Sequence, residues 1–582
     1  NNIFGVDINR ESVEITKLSL FLMMAKPGEK LTNLSQNIIH GNSLISDKDI
    51  DPIGFDWRDK FSETMDKGGF DIVIGNPPWQ ILKSDIDEFF SPLKEMKLLL
   101  VTEFPKQQIL FSKLKKPKKS SLVKKCLENE KINTAWQLYL KKYNDQMKYF
   151  LQDDNFEFQI SEVNGKKSSG IDINLYKLFV EKSYQILKND GISGLVLPSG
   201  IYSDLGTKSL RQLLFQKCRI LELCGFINRK AIFDDVHRQF KFCTLLYKKT
   251  KSTKKFFSKF RVYDDLELIN FSKNSFEYNL NLILMSSPNS LSIIECKDDL
   301  DQQILQKLYK FSLLQSEKWN FKASREFHMT DDAKLFHTGN IGLPLFEGKM
   351  MNMFNDNFAL PTYWIDEKEG TDELIRKEQN RIKKFTKVKN SKVSPRIDSK
   401  EYRLVWRALT NSTNERTLIS TILPPDIFLG NSLNYLNPLI FNGIKYEHRI
   451  SYKETVFLCG LFNSFIIDFI LRHKVAANLN IFFIMELPIP KFEKSNLLHQ
   501  KILKNSSMLI CTTDNYVKLR DEVGIPEFIT EPDKRLALEA QINAYVAKIY
   551  DLTRDEFEYV LELFPSVDQK LKNMAMREFL LL

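Results

Sequence analysis

The stretch Phe70-Asp71-Ile72-Val73-Ile74-Gly75-Asn76-Pro77-Pro78-Trp79 is the most informative part of this chain of 582 residues. Its apolar first half predicts a buried strand, and the strand runs directly into Asn-Pro-Pro-aromatic. Because proline fixes its own backbone, this ending directs the Asn76 side chain and a carbonyl oxygen into one pocket. The stretch therefore predicts two hydrogen-bond acceptors beside an aromatic ring, at the carboxyl end of a strand.

Such a pocket suits a planar amine such as the amino group of adenine. The lone pair of that nitrogen is delocalised into the ring, which makes it a poor nucleophile. Hydrogen bonds to two acceptors push the nitrogen towards tetrahedral geometry, while Trp79 stacks on the heterocycle, so no general base is needed before attack. The plainer alternative is a Pro-Pro turn that closes a core strand, with Trp79 as its lid.

Two upstream segments also predict strands that end in polar residues. Residues 3–8 predict a short strand that ends at Asp7, followed by a helix with Asn9 as its cap. An acid in this position is the usual partner of ribose hydroxyls in dinucleotide-type folds, although Asp7 is as readily a second capping residue. Residues 37–44 predict the next strand, after which Asn42 is placed to read the edge of a cofactor adenine.

Strands and helices alternate again after residue 173. Residues 174–187 predict a helix, 191–198 a strand, 205–217 a helix, and 221–226 and 240–247 two further strands. This alternation favours an α/β fold with a mostly parallel sheet, and it puts the polar strand ends at one edge of that sheet.

The order of these segments resembles the gamma class of DNA adenine-N6 methyltransferases. More closely, nearly the whole chain resembles the members fused to a target-recognition domain in Type IIG-like restriction–modification enzymes. The segments that carry the resemblance are GVDIN at 5–9, HGNSL at 40–44, DIVIGNPPW at 71–79, NLYKLF at 174–179, GLVLPSG at 194–200 and FDDVHRQFKF at 233–242.

The resemblance implies a role for each matching position. It implies a Rossmann-like fold that binds S-adenosylmethionine and double-stranded DNA, with subunits of a restriction or defence system as further candidate partners. The implied catalytic residues are Asn76, Pro77, Pro78 and Trp79. The implied cofactor-binding residues are Asp7, Ile8, Asn42, Ser43 and Asn76; many relatives carry Asp where this chain has Asn42. The implied aromatic contacts to the extruded base are Trp79, Phe179, and Phe233 or Phe240, between which the sequence does not choose.

One element of the family is absent from the sequence. The glycine-rich first motif, which wraps the methionine part of the cofactor, belongs on a strand before Asp7. Without that strand, its two neighbours in the sheet have unpaired edges of the buried type. We therefore expect this sequence to be an N-terminally truncated part of a longer protein that binds the cofactor poorly as it stands.

Composition sets broad limits. Hydrophobic residues make up 43% of the chain, and 84 basic against 74 acidic residues give a formal net charge of +10, which favours a polyanionic partner only slightly. The seven cysteines contain no C-x-x-C pair, so we expect free thiols in the cytoplasm and no metal site. The apolar residues 456–471 are interrupted by Asn463, Ser464 and Asp468, which predicts a core-facing helix and no membrane span.

The chain divides into four predicted regions. Residues 1–255 form the methyltransferase domain, in which the lysine-rich insertion 83–167 either tracks a phosphate backbone or is a solvated loop. Residues 256–330 form a connector, 331–500 a mixed α+β target-recognition domain, and 501–582 a helical end with a capping box at Thr553 and Glu556.

The target-recognition resemblance rests on GLPLFEGKM at 342–350, YRLVWR at 402–407, STNERT at 412–417, LFNS at 461–464 and LPIP at 487–490. The residues expected near DNA are Lys349, Arg403, Arg407 and Arg416, although a structural salt bridge is about as probable for each. Asp332 with Glu347 and Lys349 also resembles a nuclease metal motif. A nuclease site is the weaker hypothesis, because Glu347 and Lys349 fall inside the target-recognition match.

Three other functions fit parts of the pattern. Asn-Pro-Pro-aromatic also serves the methylation of protein glutamine side chains and of RNA bases, and a long DNA-reading domain argues against both. A chain without the cofactor loop fits a non-catalytic DNA-recognition subunit as well.

Overall fold

The computed structural model describes residues 2–25, 33–103, 110–152, 154–160, 162–163, 166–167, 173–319, 321–386, 395, 397–410, 414–442, 444–475 and 478–582. The chain forms two compact units. The first comprises Asn1–Leu280 and Asn289–Ser292, and the second comprises Asn281–Pro288 and Ile293–Leu582.

The first unit alternates strands with helices. Its strands are β1 Gly5–Asp7, β2 Ile38–His40, β3 Phe70–Gly75, β4 Glu162–Val163, β5 Lys166–Lys167, β6 Leu187–Pro198, β7 Arg219–Ile227, β8 Lys241–Lys248, β9 Lys255–Val262 and β10 Phe276–Asn279. Its helices are α1 Arg10–Met24, α2 Trp57–Lys60, α3 Ser62–Asp66, α4 Ile86–Phe90, α5 Lys94–Glu103, α6 Lys116–Leu127, α7 Glu130–Phe150, α8 Leu175–Ile186, α9 Gly200–Ser203, α10 Lys208–Gln216 and α11 Phe271–Asn274.

Among the described residues, six strands form one sheet in the order β10-β9-β7-β8-β6-β3. The pairs β3–β6 and β7–β9 are parallel. Strand β8 is antiparallel to both β6 and β7, and β10 is antiparallel to β9. The α/β class is confirmed, but the expectation of a mostly parallel sheet is corrected to a mixed sheet, because β8 enters in the reverse direction between two strands that share a direction.

The strand that ends in the Asn-Pro-Pro-Trp stretch is set by a tight turn. Gly69 has φ of +118°, and a Cβ there would lie 2.3 Å from the carbonyl oxygen of Ile186 at the end of α8. Only glycine fits this approach without strain. The turn brings β3 into register with β6, where Ile72 pairs with Ile192 and Gly75 with Leu195.

Strands β1 and β2 form a separate parallel pair, with Gly5 opposite Ile38 and Asp7 opposite His40. In the part of the chain that the structure describes, β1 pairs only with β2, and β3 pairs only with β6. The side of β3 away from β6 is open, and Ile72 and Ile74 are 65% and 80% exposed. Native proteins rarely leave an apolar strand at an exposed edge of a sheet.

The predicted connector 256–330 contains regular secondary structure. Strands β9 and β10 lie inside it and extend the sheet of the first unit, so that unit continues past residue 255. The sequence signal is weak there because β9 follows β8 after a short turn, with no helix between them. Helix α13 Asp299–Leu308 and strand β11 Ala323–Ser324 also lie in the predicted connector and belong to the second unit.

The second unit combines small sheets with a helical end. Its strands are β11, β12 Leu343–Phe346, β13 Tyr363–Ile365, β14 Arg403–Arg407, β15 Ser420–Leu423, β16 Phe428–Leu429, β17 Leu433–Leu436, β18 Leu439–Phe441 and β19 Tyr446–His448. They pair as β11-β17-β14-β15, β13-β12-β16 and β18-β19. Its helices are α12 Leu280–Ser286, which begins at the boundary, α13, α14 Glu367–Thr386, α15 Tyr452–Phe462, α16 Phe465–Arg472, α17 Ile481–Met485, α18 Leu497–Ile510, α19 Val517–Val523, α20 Pro532–Ile549, α21 Arg554–Glu562 and α22 Gln569–Leu580.

The apolar residues 456–471 form two buried helices instead of the predicted single one. Helices α15 and α16 bend by 62°, because the Asn463 side chain bonds to the Ser420 backbone and Ser464 caps α16. Among the described residues, no single helix has the length and composition of a membrane span, and this bent pair alone passes that test when its two helices are joined.

A buried charged cluster in the second unit predicts acid sensitivity. Asp301 accepts hydrogen bonds from His473 Nε2 (2.9 Å), the Lys297 amide (2.6 Å) and the Tyr559 hydroxyl (3.0 Å). Burial alone would raise the pKa of Asp301, but His473 and these hydrogen bonds hold it at about 2.

Because the folded pKa of Asp301 is depressed, its contribution is present above pH 4 and is lost as the pH falls towards 2. We expect the unfolding free energy to lose about 2 kcal/mol over that interval from this group alone. Urea unfolding at pH 7, 4 and 3 measures the loss. Asp301→Asn should flatten this part of the profile, and an unchanged profile in that variant would contradict the assignment.

Candidate active site

A cavity of about 580 Å³ lies at the open edge of β3. It is bounded by β1 on one side and β3 on the other, and α8 contributes the residues beneath. This volume lies within the usual range for small-molecule sites. The predicted site residues among its lining are Asp7, Ser43, Asn76, Pro77, Pro78 and Phe179.

The residues after β3 have the exposure that a recognition site requires. Pro77 is buried, whereas Asn76 and Pro78 are exposed. The Asn76 side chain has no hydrogen bond to another described residue, so its amide is available to a ligand. The buried proline fixes the backbone that carries this amide.

Trp79 lies in an aromatic cluster on the neighbouring strands. Its ring is nearly parallel to Phe240 (centroids 5.4 Å apart, 12°) and to Phe242 (5.9 Å, 28°), and Phe233 meets it edge-on (5.3 Å, 78°). The indole Nε1 donates to the carbonyl oxygen of Val196 at 3.4 Å. These contacts fix the plane of the Trp79 ring. The two candidate phenylalanines are thus both brought to Trp79.

Asp7 lies at the exposed end of β1. One of its carboxylate oxygens accepts from the Asn9 amide at 2.7 Å, and Asn9 in turn caps α1 through the Ser12 amide. Asp7 therefore supports the turn before the helix and also faces the cavity. Ile8 is 61% exposed, and the cavity lining does not include it.

Asn42 is held by neighbouring residues. Its Nδ2 donates to buried Asp51 (2.9 Å), and its Oδ1 accepts from the Leu44 amide (3.1 Å). The lining of the cavity includes Ser43 but not Asn42. In this conformation the Asn42 side chain positions the loop after β2, and its predicted contact with a cofactor adenine stays a prediction.

Lys182 and Trp57 are two of the cavity residues that the sequence-based set lacks. Lys182 lines the cavity from α8, and burial lowers its pKa to about 8. Its spacing from Phe179, together with Ser183 and Ile186, follows one helical face, which is the signal that identifies it in the sequence. Trp57 donates from Nε1 to the Ser43 carbonyl at 2.9 Å, and no sequence pattern marks it.

Arg403 and Arg416 were expected near DNA, and this expectation is corrected. Arg403 is fully buried, where it pairs with Glu326 and donates to the Ile427 carbonyl. Arg416 is 4% exposed and pairs with Asp468 at 2.9 Å. A guanidinium enclosed by protein offers no donor to a base or phosphate, so these residues are the structural salt bridges that the sequence left as the alternative.

The other two candidates retain some exposure. The Lys349 side chain is 60% exposed beside Glu347, 3.1 Å away. Arg407 is half-buried and donates to the Met351 carbonyl, and burial lowers its pKa. Their contact with DNA stays a prediction. Residues 412–413 of the matched segment STNERT lie outside the described residues.

Part of the first unit matches a known protein-family model. Residues 1–100 and 81–233 match the model of the Eco57I restriction-modification methylase. No curated protein matches the chain.

Among solved structures, the Type IIL restriction-modification enzyme MmeI in complex with DNA is 9% identical, with a TM-score of 0.43 over 98% of this chain and 66% of that one. The type IIG restriction endonuclease BpuSI is 12% identical, with a TM-score of 0.26 over 72% and 51%. The M protein of the Type I restriction enzyme EcoKI is 14% identical, with a TM-score of 0.20 over 23% and 40%. The chain thus spans 66% or less of the length of each of these proteins. The family model confirms the resemblance to restriction–modification methyltransferases that was drawn from the sequence, over residues 1–233.

Proposed function

We propose that this protein is a site-specific DNA methyltransferase that transfers a methyl group from S-adenosylmethionine to the N6 amino group of adenine, within a restriction–modification or anti-phage defence system. One observation carries the proposal. The exposed Asn76 amide, on a backbone fixed by buried Pro77, lies at a cavity that also contains the Asp7 carboxylate, next to the aromatic cluster around Trp79.

In this mechanism the target adenine leaves the duplex and stacks on Trp79. Extrusion costs a few kcal/mol, and stacking at about 1–3 kcal/mol per base offsets much of it. The side-chain oxygen of Asn76 and the backbone carbonyl at Pro77 accept the two N6 protons. They thereby aim the nitrogen lone pair at the methyl group, so the protein contributes mainly alignment. The nitrogen would become positively charged on gaining the methyl group and would then lose one of its two protons to water.

The second ring at the base is proposed to be Phe240. Phe233 is pinned by paired hydrogen bonds with the Asn228 side chain (3.0 Å and 2.8 Å) and packs with buried Phe242. Phe240 is 37% exposed and nearly parallel to Trp79. A ring at the surface is the one that an incoming base can meet.

The cavity residues fit part of S-adenosylmethionine. The Asp7 carboxylate suits ribose hydroxyls, and Asn76 and Ser43 supply further polar groups near the same cavity. When bound, this cofactor supplies an electrophilic methyl group on a sulfonium that leaves as a neutral thioether. Asp7, Ser43 and Asn76 would hold it within reach of the adenine nitrogen.

The fold proposed for the catalytic domain is the Rossmann-like methyltransferase sheet, with one more strand between β1 and β3. The open apolar edge of β3 and the separate β1–β2 pair support this arrangement. The added strand would take the part of the cavity between β1 and β3 and leave the end at Asp7 and Asn76 to the cofactor. A parallel strand in that place would pair both edges and cover Ile72 and Ile74.

Stacking on Trp79 makes a measurable prediction. Trp79→Ala should lower kcat/KM for DNA methylation by about 5- to 150-fold, the equivalent of 1–3 kcal/mol. Trp79→Phe keeps an aromatic ring and should lose less. Initial rates of tritium transfer from S-adenosylmethionine to duplex DNA measure both variants, and equal rates for Trp79→Ala and the parent would exclude the stacking role.

A non-catalytic DNA-recognition subunit is the second candidate. The unpaired edges of β1 and β3 favour it, because a sheet without its central strand presents an incomplete cofactor site. Equilibrium dialysis with S-adenosylmethionine separates the two functions: saturable binding supports the enzyme, and DNA binding without cofactor binding supports the recognition subunit. In either case the second unit is proposed to read the DNA target, with Lys349 and Arg407 as its remaining candidate contacts.

A further inference from the structure

A lysine-rich segment lies in the helical insertion of the first unit. Residues 110–127 contain seven lysines and no acidic residue. Lys119 pairs with Asp87 at 2.6 Å, and Lys125 pairs with Glu103. The side chains of Lys113, Lys115 and Lys124 are exposed and make no ion pair with another described residue. These three lysines lie on α6 or in the few residues before it and are named here the α6 lysines. They form a positively charged surface, because none of them pairs with a described carboxylate.

The segment that carries the α6 lysines packs against the neighbouring helices through a buried apolar core. Phe111, Leu122 and Cys126 are 2–3% exposed and join a core with Phe90, Met96 and Ile132 from the neighbouring helices. Because this core holds α6 against α5 and α7, the charges have defined positions. This packing argues against a solvated loop, in which ordering the chain on binding would cost conformational entropy.

The insertion begins and ends beside the candidate active site. Ile81, two residues after Trp79, forms a β-bridge with Asn174, and Leu82 and Leu175 bond to Ile173 and Gln80. Asp87, the partner of Lys119, follows Trp79 by eight residues, which bounds their separation at about 29 Å. Duplex DNA that presents a base to Trp79 reaches that far within about nine base pairs, at 3.4 Å per phosphate along a strand.

We propose that the α6 lysines contact the phosphate backbone of duplex DNA beside the extruded base. The inference rests on the proposed function, since it takes DNA as the substrate at Trp79. Lysine is a point-charge phosphate binder without base preference, so these contacts would hold the duplex in place without reading its sequence. This proposal accounts for the basic segment and for its position near the candidate active site.

The test is the salt dependence of DNA binding by the full chain. Binding of a fluorescent 30-base-pair duplex of mixed sequence is measured by anisotropy from 50 to 300 mM KCl, without cofactor. The triple variant Lys113→Gln, Lys115→Gln, Lys124→Gln should reduce the slope of log K against log salt by about 2–3. If affinity at 1 M salt is unchanged, the same slope change predicts a loss of affinity of about 100- to 1,000-fold at 0.1 M salt.

Two controls exclude a general charge effect and misfolding. Lys504→Gln, Lys518→Gln removes two exposed lysines from the helical end of the second unit, outside the predicted target-recognition domain, and should leave the slope within 1 of the parent value. The α6 lysines changed to arginine should keep the parent slope. A glutamine triple variant that unfolds at the parent temperature and retains the parent slope overturns the inference while DNA binding stands. A parent chain that binds no DNA overturns the proposed function together with the inference.

Discussion

Asn76→Ala should abolish methyl transfer, with a fall in kcat of at least about 10³-fold. The Asn76 oxygen is one of two acceptors that the mechanism provides for the N6 protons, and the attack on the methyl group depends on that alignment. Removing it leaves the amine planar and its lone pair in the ring. Because Asn76 is exposed and bonds to no other described side chain, the substitution should leave stability unchanged.

The same variant should bind DNA within several-fold of the parent, since Trp79 and the phosphate contacts remain. Asn76→Asp keeps an acceptor oxygen at the same position and should retain more activity than Asn76→Ala. Single-turnover transfer at saturating DNA measures the chemical step in all three proteins. Parent-like turnover by Asn76→Ala would remove the basis of the mechanism.

Arg403→Met should destabilise the second unit by about 3–5 kcal/mol. The Arg403 guanidinium is enclosed with Glu326, whose second oxygen accepts from the Leu429 amide at 2.8 Å. Losing one partner of such a pair leaves a buried charge without compensation. Burial already raises the pKa of Glu326 even with Arg403 present, so the lone carboxylate would be costly at neutral pH.

Two further variants separate this structural role from DNA contact. The double variant Arg403→Met, Glu326→Leu removes both charges and should recover most of the lost stability. Arg376→Met breaks an exposed pair with Glu373, in which the arginine side chain is 64% exposed, and should cost less than about 1 kcal/mol. Urea unfolding measures all three. Full stability with lost DNA affinity in Arg403→Met would instead restore the DNA-contact hypothesis.

Sequence reasoning predicted the residues of the candidate site but not all of their neighbours. The elements around Asn76 were predictable because the short strands are followed by polar residues and α1 has Asn9 as its cap. In the second unit, the capping box of Thr553 and Glu556 was predictable in the same way. Trp57 begins α2, and the path of the chain that brings it to the cavity depends on its aromatic neighbours Phe55 and Phe70. Nothing in local periodicity encodes that path.

The fold was less predictable where pairing is distant in sequence. Strand β8 runs opposite to β7 because it follows β7 in the chain and pairs with it. Strands β9 and β10 were missed because their apolar alternation also fits a structured connector. Residues 456–471 carry a continuous apolar pattern, and the bend comes from Asn463 bonding to a strand 43 residues away. The burial of Arg403 and Arg416 depends on Glu326 and Asp468, and sequence alone does not reveal that pairing.

The most direct test of the central claim is the identity of the methylated product. The intact protein is incubated with tritiated S-adenosylmethionine and mixed-sequence duplex DNA, and the DNA is digested to nucleosides and mapped for modified positions. The proposed function predicts label in N6-methyladenine at one recurring sequence. Label in another nucleoside, or DNA binding without any transferred label, would contradict it.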